Sequence, residues 1–140
     1  MKIFGAVTLA AAVLWPAIGG ATTAYDIDIK ITNSQSYETI DLTVNYSSAN
    51  GGFTGSGSTV SCTPNATLNA TTSFNDVAPN LKTGTMRTTQ FAGPVVLYTC
   101  IFDANAGAPT AGQFVITVRD WTSPSTSTAP TVQISRIQLH

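Results

Sequence analysis

The sequence has 140 residues, enough for one domain with a proper hydrophobic core. Charged residues make up only 9% against 43% apolar, and the formal net charge at pH 7 is −1. Basic groups this few and scattered cannot neutralise a phosphate backbone, which argues against nucleic acid, and the wealth of β-branched and aromatic residues argues against a disordered chain.

Met1–Ala24 reads as a targeting segment. Lys2 supplies the positive start, Ile3–Trp15 is an apolar run of signal-peptide length, Pro16 breaks it, and small residues offer cleavage after Ala21 or Ala24. The run is too short for a comfortable membrane span, and no second apolar segment follows, so no membrane span is expected in the mature chain. The expectation is an exported protein, secreted, periplasmic or on the cell surface, with one domain over residues 25–140. Without Lys2 it carries five basic residues against seven acidic ones.

Tyr25–Thr32 alternates strictly, with Ile27, Ile29 and Ile31 on one face and Asp26, Asp28 and Lys30 on the other, a strand half buried against a core. After the turn cluster Asn33–Ser36, Glu38–Tyr46 repeats the pattern with Ile40, Leu42, Val44 and Tyr46 inward. Ser47–Ser58 is a loop of small residues with Phe53 as its one anchor. It lacks the lysine and following helix that a phosphate-cradling loop needs. Thr59–Cys62 reads as a short strand, and Leu68, Ala70, Thr72 and Phe74 mark a polar one within Pro64–Asn75. Val77–Gly84 reads as a connection broken by Pro79 and Gly84, followed by a strand over Thr85–Phe91.

Val95–Phe102 is apolar on both parities, as for a strand central in its sheet. Gln113–Trp121 follows across a Gly/Ala/Pro connection, with Phe114, Ile116 and Val118 on one parity. After the Ser/Thr/Pro loop Trp121–Pro130 comes the last strand, Thr131–Leu139, whose apolar parity slips; a β-bulge near Ser135-Arg136 would keep Val132, Ile134, Ile137 and Leu139 on one side. No helical period persists. About eight or nine short strands with turn signals between them give an all-β antiparallel sandwich.

Cys62 and Cys100 are the only cysteines, and in an oxidising compartment the pair reads as a disulfide. Catalysis has little to work with: His140, the single histidine, is the last residue of the sequence, so a Ser-His-Asp arrangement has no plausible base. Asp26, Asp28 and Asp41 fall on outward strand faces, where solvation explains them, and Asp76, Asp103 and Asp120 at strand ends suit turns. No cofactor is indicated. Asn75-Asp76 and Asp103-Ala104-Asn105 supply oxygen donors of the kind calcium takes but match no EF-hand loop. Sugar-binding sandwiches use exposed aromatics that stack on a pyranose face, and Trp121, Tyr37 and Tyr25, near strand ends, are the candidates. Trp121, Asp120 and Tyr37 are therefore the expected binding residues. Three N-glycosylation sequons begin at Asn45, Asn65 and Asn69.

Several stretches together resemble cohesin modules. IDLTVNYSSANGGF, Ile40 to Phe53, is similar to their early strand pair; VVLYTCIF, GAPTAG and QFVITVRDW are similar to their later strands; TVQISRIQL fits the closing strand. The resemblance implies a cohesin-like jelly-roll sandwich, a fold shared with carbohydrate-binding modules. It also implies a non-catalytic role, docking a dockerin-like protein partner or a polysaccharide outside the cytoplasm. A structural subunit of a fimbria or surface layer is the alternative.

Overall fold

In this computed structural model, residues 20–140 are described. The leader expected over residues 1–24 lies outside the described residues as far as residue 19. Strands β1 (Thr23–Ile31), β3 (Gly51–Phe53), β4 (Cys62–Pro64), β7 (Val95–Ala104) and β9 (Val132–Leu139) form one antiparallel sheet. The order is β3-β7-β1-β9, with β4 pairing β7 beyond the end of β3. Strands β5 (Thr71–Val77), β6 (Asn80–Ala92), β2 (Ser36–Asn45) and β8 (Val115–Thr122) form the second, in that order. Every connection except β3–β4 and β5–β6 crosses between the sheets, as in a jelly-roll sandwich. Short 3-10 turns at Ala66–Leu68 and Ala111–Gln113 lead into β5 and β8.

The period-two pattern sets the core. Ile27, Ile29 and Ile31 of β1 face Ile40, Leu42 and Val44 of β2 across the sandwich, all fully buried. Tyr46, Phe53, Phe102 and Phe114 cluster at one end, four pairs edge-to-face with ring centroids 5.1 to 6.0 Å apart and Phe53–Phe114 tilted at 6.2 Å. Strand β7 is central as expected, bonded to β1 on one edge and to β3 and β4 on the other. The slip in β9 is a bulge: Asp28 pairs with Arg136 and the next residue, Ile29, with Ile134, so Ser135 is the extra residue.

The region around β6 departs from expectation. The stretch read as a connection is a tight β5–β6 turn at Ala78-Pro79, followed by a strand that runs straight through Gly84. Gly84 is not a breaker. A Cβ there would lie 2.8 Å from Asp41 Oδ1 and 3.3 Å from Ser73 Oγ, so its missing side chain lets these neighbours close over the strand. The strand expected at Thr59–Cys62 begins instead at Cys62, and Leu68 belongs to a 3-10 turn rather than to a strand.

Cys62 and Cys100 are bonded, sit directly opposite each other in the β4–β7 ladder and close a 38-residue separation. By loop-closure entropy such a link stabilises a fold by about 4 kcal/mol. Reduction, or a Cys62→Ser/Cys100→Ser pair, should lower the melting temperature in calorimetry, and an unchanged value would contradict that contribution. Thr23 and Ala24 are already in β1, opposite Ala104 and Asp103, and the Ala24 carbonyl accepts the His140 N–H at 3.0 Å. Cleavage after Ala21 spares this ladder, whereas cleavage after Ala24 removes part of it. If the leader expected from the sequence is removed, N-terminal sequencing of the processed chain should therefore read Thr22 first.

Candidate functional site

The outer face of the β5-β6-β2-β8 sheet is built in rows by the strand register. Val77, Asn80, Asn45 and Val115 form one end row; next come Asn75, Lys82, Thr43 and Thr117; then Ser73, Gly84, Asp41 and Asp120; then Thr71, Met86, Thr39 and Thr122. Beyond Met86 the β2–β6 ladder opens. Between the pairs Thr39–Met86 and Tyr37–Phe91 a single residue, Glu38, stands opposite four, Arg87 to Gln90. This wide bulge lifts β6 away and leaves a cleft of about 550 Å³ lined by Glu38, Thr39, Asn69, Thr71 and Met86–Thr89.

The cleft does not stand alone. Thr39 and Met86 also line a second hollow with Asp41, Ser73 and Gly84, about 240 Å³. Asp41, Ser73 and Gly84 then line a third with Asn75, Lys82 and Arg119, about 320 Å³. Shared walls make the three a single groove running along β6, with Gly84 as its low middle. From Lys82 to Arg87 it follows about 17 Å of strand at the usual rise per residue. Met86, 56% exposed, is the large apolar side chain on its floor. Arg119 reaches Asp41 only at 4.0 Å, with both side chains nearly half exposed. Among the described residues, Lys82, Arg87 and Glu38 have no opposite charge within 4.0 Å.

The residues expected to bind are placed otherwise. Tyr37, expected at the surface, is fully buried: its hydroxyl donates to the Thr128 carbonyl at 3.1 Å and accepts from Asn33 Nδ2 at 2.7 Å. The cause is the Ser/Thr/Pro loop after β8, which folds over that end of the sandwich. Trp121 lies opposite Ile40, on the inner side of its strand, and packs edge-on against Tyr37 with centroids 5.8 Å apart. Asp120 is exposed on the outer side, its Oδ1 accepting the Trp121 N–H at 2.8 Å. Trp121 and Asp120 thus point to opposite faces, and the three do not converge. Tyr25 is half buried and packs against the core.

The oxygen-donor pairs are split in the same way. Asn75 lines the groove, whereas Asp76 points inward, 6% exposed, and accepts the Tyr46 hydroxyl at 2.9 and 3.1 Å. Asp103 accepts from Thr54 Oγ1 at 2.7 Å, while the Asn105 amide reaches Asn50 Oδ1. Among the described residues, no three His, Cys, Asp or Glu side chains cluster as metal ligands would.

Asp28 also departs from expectation. It lies on the outer side of β1, yet is only 7% exposed. The β1–β9 register brings Arg136 over it, Nε to Oδ2 at 2.7 Å and Nη2 to Oδ1 at 3.0 Å, and Thr99 Oγ1 donates at 2.6 Å. Burial alone would raise its carboxyl, but the hydrogen bonds from Arg136 and Thr99, with the guanidinium charge, hold it below the ordinary range. For Asp76 burial prevails over the Tyr46 hydrogen bond, and its carboxyl is raised. Burial likewise raises the Tyr46 phenol, and the bond it donates to Asp76 adds to the effect.

Comparison with protein-family models, curated proteins and solved structures finds no match to the chain. The groove is a site that sequence reading missed. The signal for it was the alternation of Lys82, Gly84 and Met86 with Leu81, Thr83 and Thr85, disguised by threonines at inward positions.

The two perturbed carboxyls act on stability with opposite signs. Asp28, lowered by folding, stabilises fully above its unfolded value of about 3.9, and this is lost as pH falls through the folded value. Asp76, raised by folding, contributes fully below about 3.9, and this is lost as pH rises through its folded value. Urea unfolding from pH 2 to 7 should show a shallower acid loss for Asp28→Asn than for the parent chain. For Asp76→Asn the acid loss should be steeper. An unchanged acid limb in Asp28→Asn would contradict the first.

Proposed function

We propose that the chain is an exported, non-catalytic binding module of cohesin-like type that docks its partner on the outer face of the β5-β6-β2-β8 sheet. The observation that carries this reading is the groove along β6. Three adjoining hollows share walls, and their floor is lowered by a glycine in mid-strand. Such a surface suits the docking of an extended or protruding partner more than enclosed chemistry.

The titratable groups support the non-catalytic part. The two carboxyls with shifted pKa, Asp28 and Asp76, are engaged by Arg136, Thr99 and Tyr46 away from the groove. His140, the one histidine, pairs with Asp26 at 2.8 Å on the other sheet.

Edge-to-edge polymerisation, the fimbrial alternative, fits less well. Edge strands β8 and β9 are both bulged, at Arg119 and at Ser135. Gly57 already exchanges both backbone hydrogen bonds with Asp76 on the outer edge of β5. Such devices blunt edges against further pairing.

Gly84→Leu would fill the middle of the groove, and its nearest neighbours there are side-chain tips that can give way. Immobilised mature protein should retain a component of the native secretome, a protein or a polysaccharide. Gly84→Leu should retain at least about ten-fold less, a loss of the size that one well-placed contact supplies. Thr63→Lys, exposed on the other sheet, should match the parent. Equal retention by the parent chain and Gly84→Leu would contradict the assignment of this face, and regular filaments formed by the purified chain would support the fimbrial reading instead.

A further inference from the structure

We infer that the groove along β6 holds a polysaccharide bearing carboxylates, a uronic-acid polymer, with Arg87 and Lys82 as its anchoring cations. This inference rests on the docking reading above and names the ligand class. Of the five basic side chains among the described residues, three line the groove: Arg87 in the wide cleft, and Lys82 and Arg119 at the far end. Only two of the seven acidic residues, Glu38 and Asp41, do so. The chain as a whole carries a net negative charge, so this excess of cations is local to the groove, whose walls do not include Asp120 on the same face.

The pairing of these charges sharpens the point. Arg136, on the other sheet, is engaged by Asp28 and Gln138, whereas Arg87 and Lys82, like Lys30 on that other sheet, have no carboxylate within 4.0 Å among the described residues. An unpaired guanidinium presents a planar fork that takes a carboxylate through two hydrogen bonds, and an ammonium supplies a point charge further along. Between these cations the walls are hydroxyls and an amide, Thr39, Thr71, Ser73 and Asn75, with one carboxylate, Asp41, that Arg119 faces at 4.0 Å. These are the donors and acceptors that sugar hydroxyls require, and Glu38 can accept from a sugar hydroxyl beside Arg87.

Met86 offers the apolar patch for the C–H face of a ring, in place of the stacked aromatic that the structure keeps inside at Trp121. The wide cleft, about 550 Å³, falls in the range of about 300–1,000 Å³ typical of small-ligand sites. Cations at the two ends of an open groove fit a polymer with repeated charges better than a single sugar.

Affinity electrophoresis in gels containing polygalacturonate or alginate, against neutral xylan and hydroxyethylcellulose, tests this. A uronate gel should retard the parent chain, and the neutral gels should not. Arg87→Ala and Lys82→Ala should each weaken retardation roughly ten-fold, the usual loss of a charge-assisted hydrogen bond. Arg87→Lys should recover part of it. Lys30→Ala, which removes the same charge from the outer side of β1, should leave it unchanged.

No retardation by either uronate overturns the inference, as does equal weakening by Lys30→Ala, which would mean diffuse attraction only. If no polysaccharide binds and yet Gly84→Leu loses retention of a secretome protein, the docking face stands and the uronate class falls. Loss of neither means that both readings fail.

Discussion

Strand β7 can be central only if both of its edges find partners, because buried backbone N–H and C=O groups must be paired. One edge is taken by β1 along its length, and the other is shared by two short strands, β3 and β4. Between these the chain leaves the edge and returns through a loop of glycines, serines and threonines. Gly51 makes the first approach possible, since a Cβ there would strike the Asp103 carbonyl. The Cys62–Cys100 bridge then fixes the second. With β7 held, the Tyr98 side chain points across the core, and its phenol meets Thr83 Oγ1 at 2.9 Å.

That contact carries the order of one sheet into the phase of the other. If Thr83 faces inward, Lys82 and Gly84 must face outward, because side chains alternate along a strand. Two more polar pairs agree with this phase. Asp76 is reached by Tyr46, and Thr72 meets Thr85 at 3.2 Å. Slipping β5 or β6 by one residue would turn Asp76 or Thr83 outward and leave the Tyr46 or Tyr98 hydroxyl unpaired in the core, and an unsatisfied buried polar group costs about 1–3 kcal/mol. Among the described residues, no buried side-chain N or O lacks a partner. The polar inner face of β5 and β6 thus specifies register where apolar alternation is weak. The groove on the outer side is a consequence of that register.

This explains what could be read from residues alone. β1 and β2 were legible because three isoleucines, and an Ile-Leu-Val series, alternate with polar residues that have no reason to be inside. The bulge in β9 was legible because only an extra residue reconciles Ile134 with Ile137. β6 was not, because its inward residues include Thr83 and Thr85, whose partners lie on other strands. Tyr37 was misplaced for a related reason. Nothing local says that the loop after Trp121 will return over it and accept its hydroxyl proton. The groove needed the pairing of Glu38 against four residues of β6, a fact of register rather than of composition.

The two outer faces show why charge is better read from pairing than from count. On the five-stranded sheet the polar groups are turned on one another: Thr99 and Arg136 on Asp28, Arg136 also on Gln138, His140 on Asp26, and Thr54 on Asp103. Those bonds consume donors and acceptors within the molecule. Along β6 the hydroxyls of Thr39 and Ser73 bond Thr122 and the Gly84 carbonyl, but the charges are left open, with the one ion pair, Arg119 with Asp41, at the limit of contact. Both faces are polar and both would read alike in a sequence. A partner gains little by displacing bonds that are already made, whereas open charges framed by hydroxyls gain by accepting one. The asymmetry therefore supports the docking proposed on the β5-β6-β2-β8 face, and leaves the Asp28–Arg136 face to hold β9 against β1.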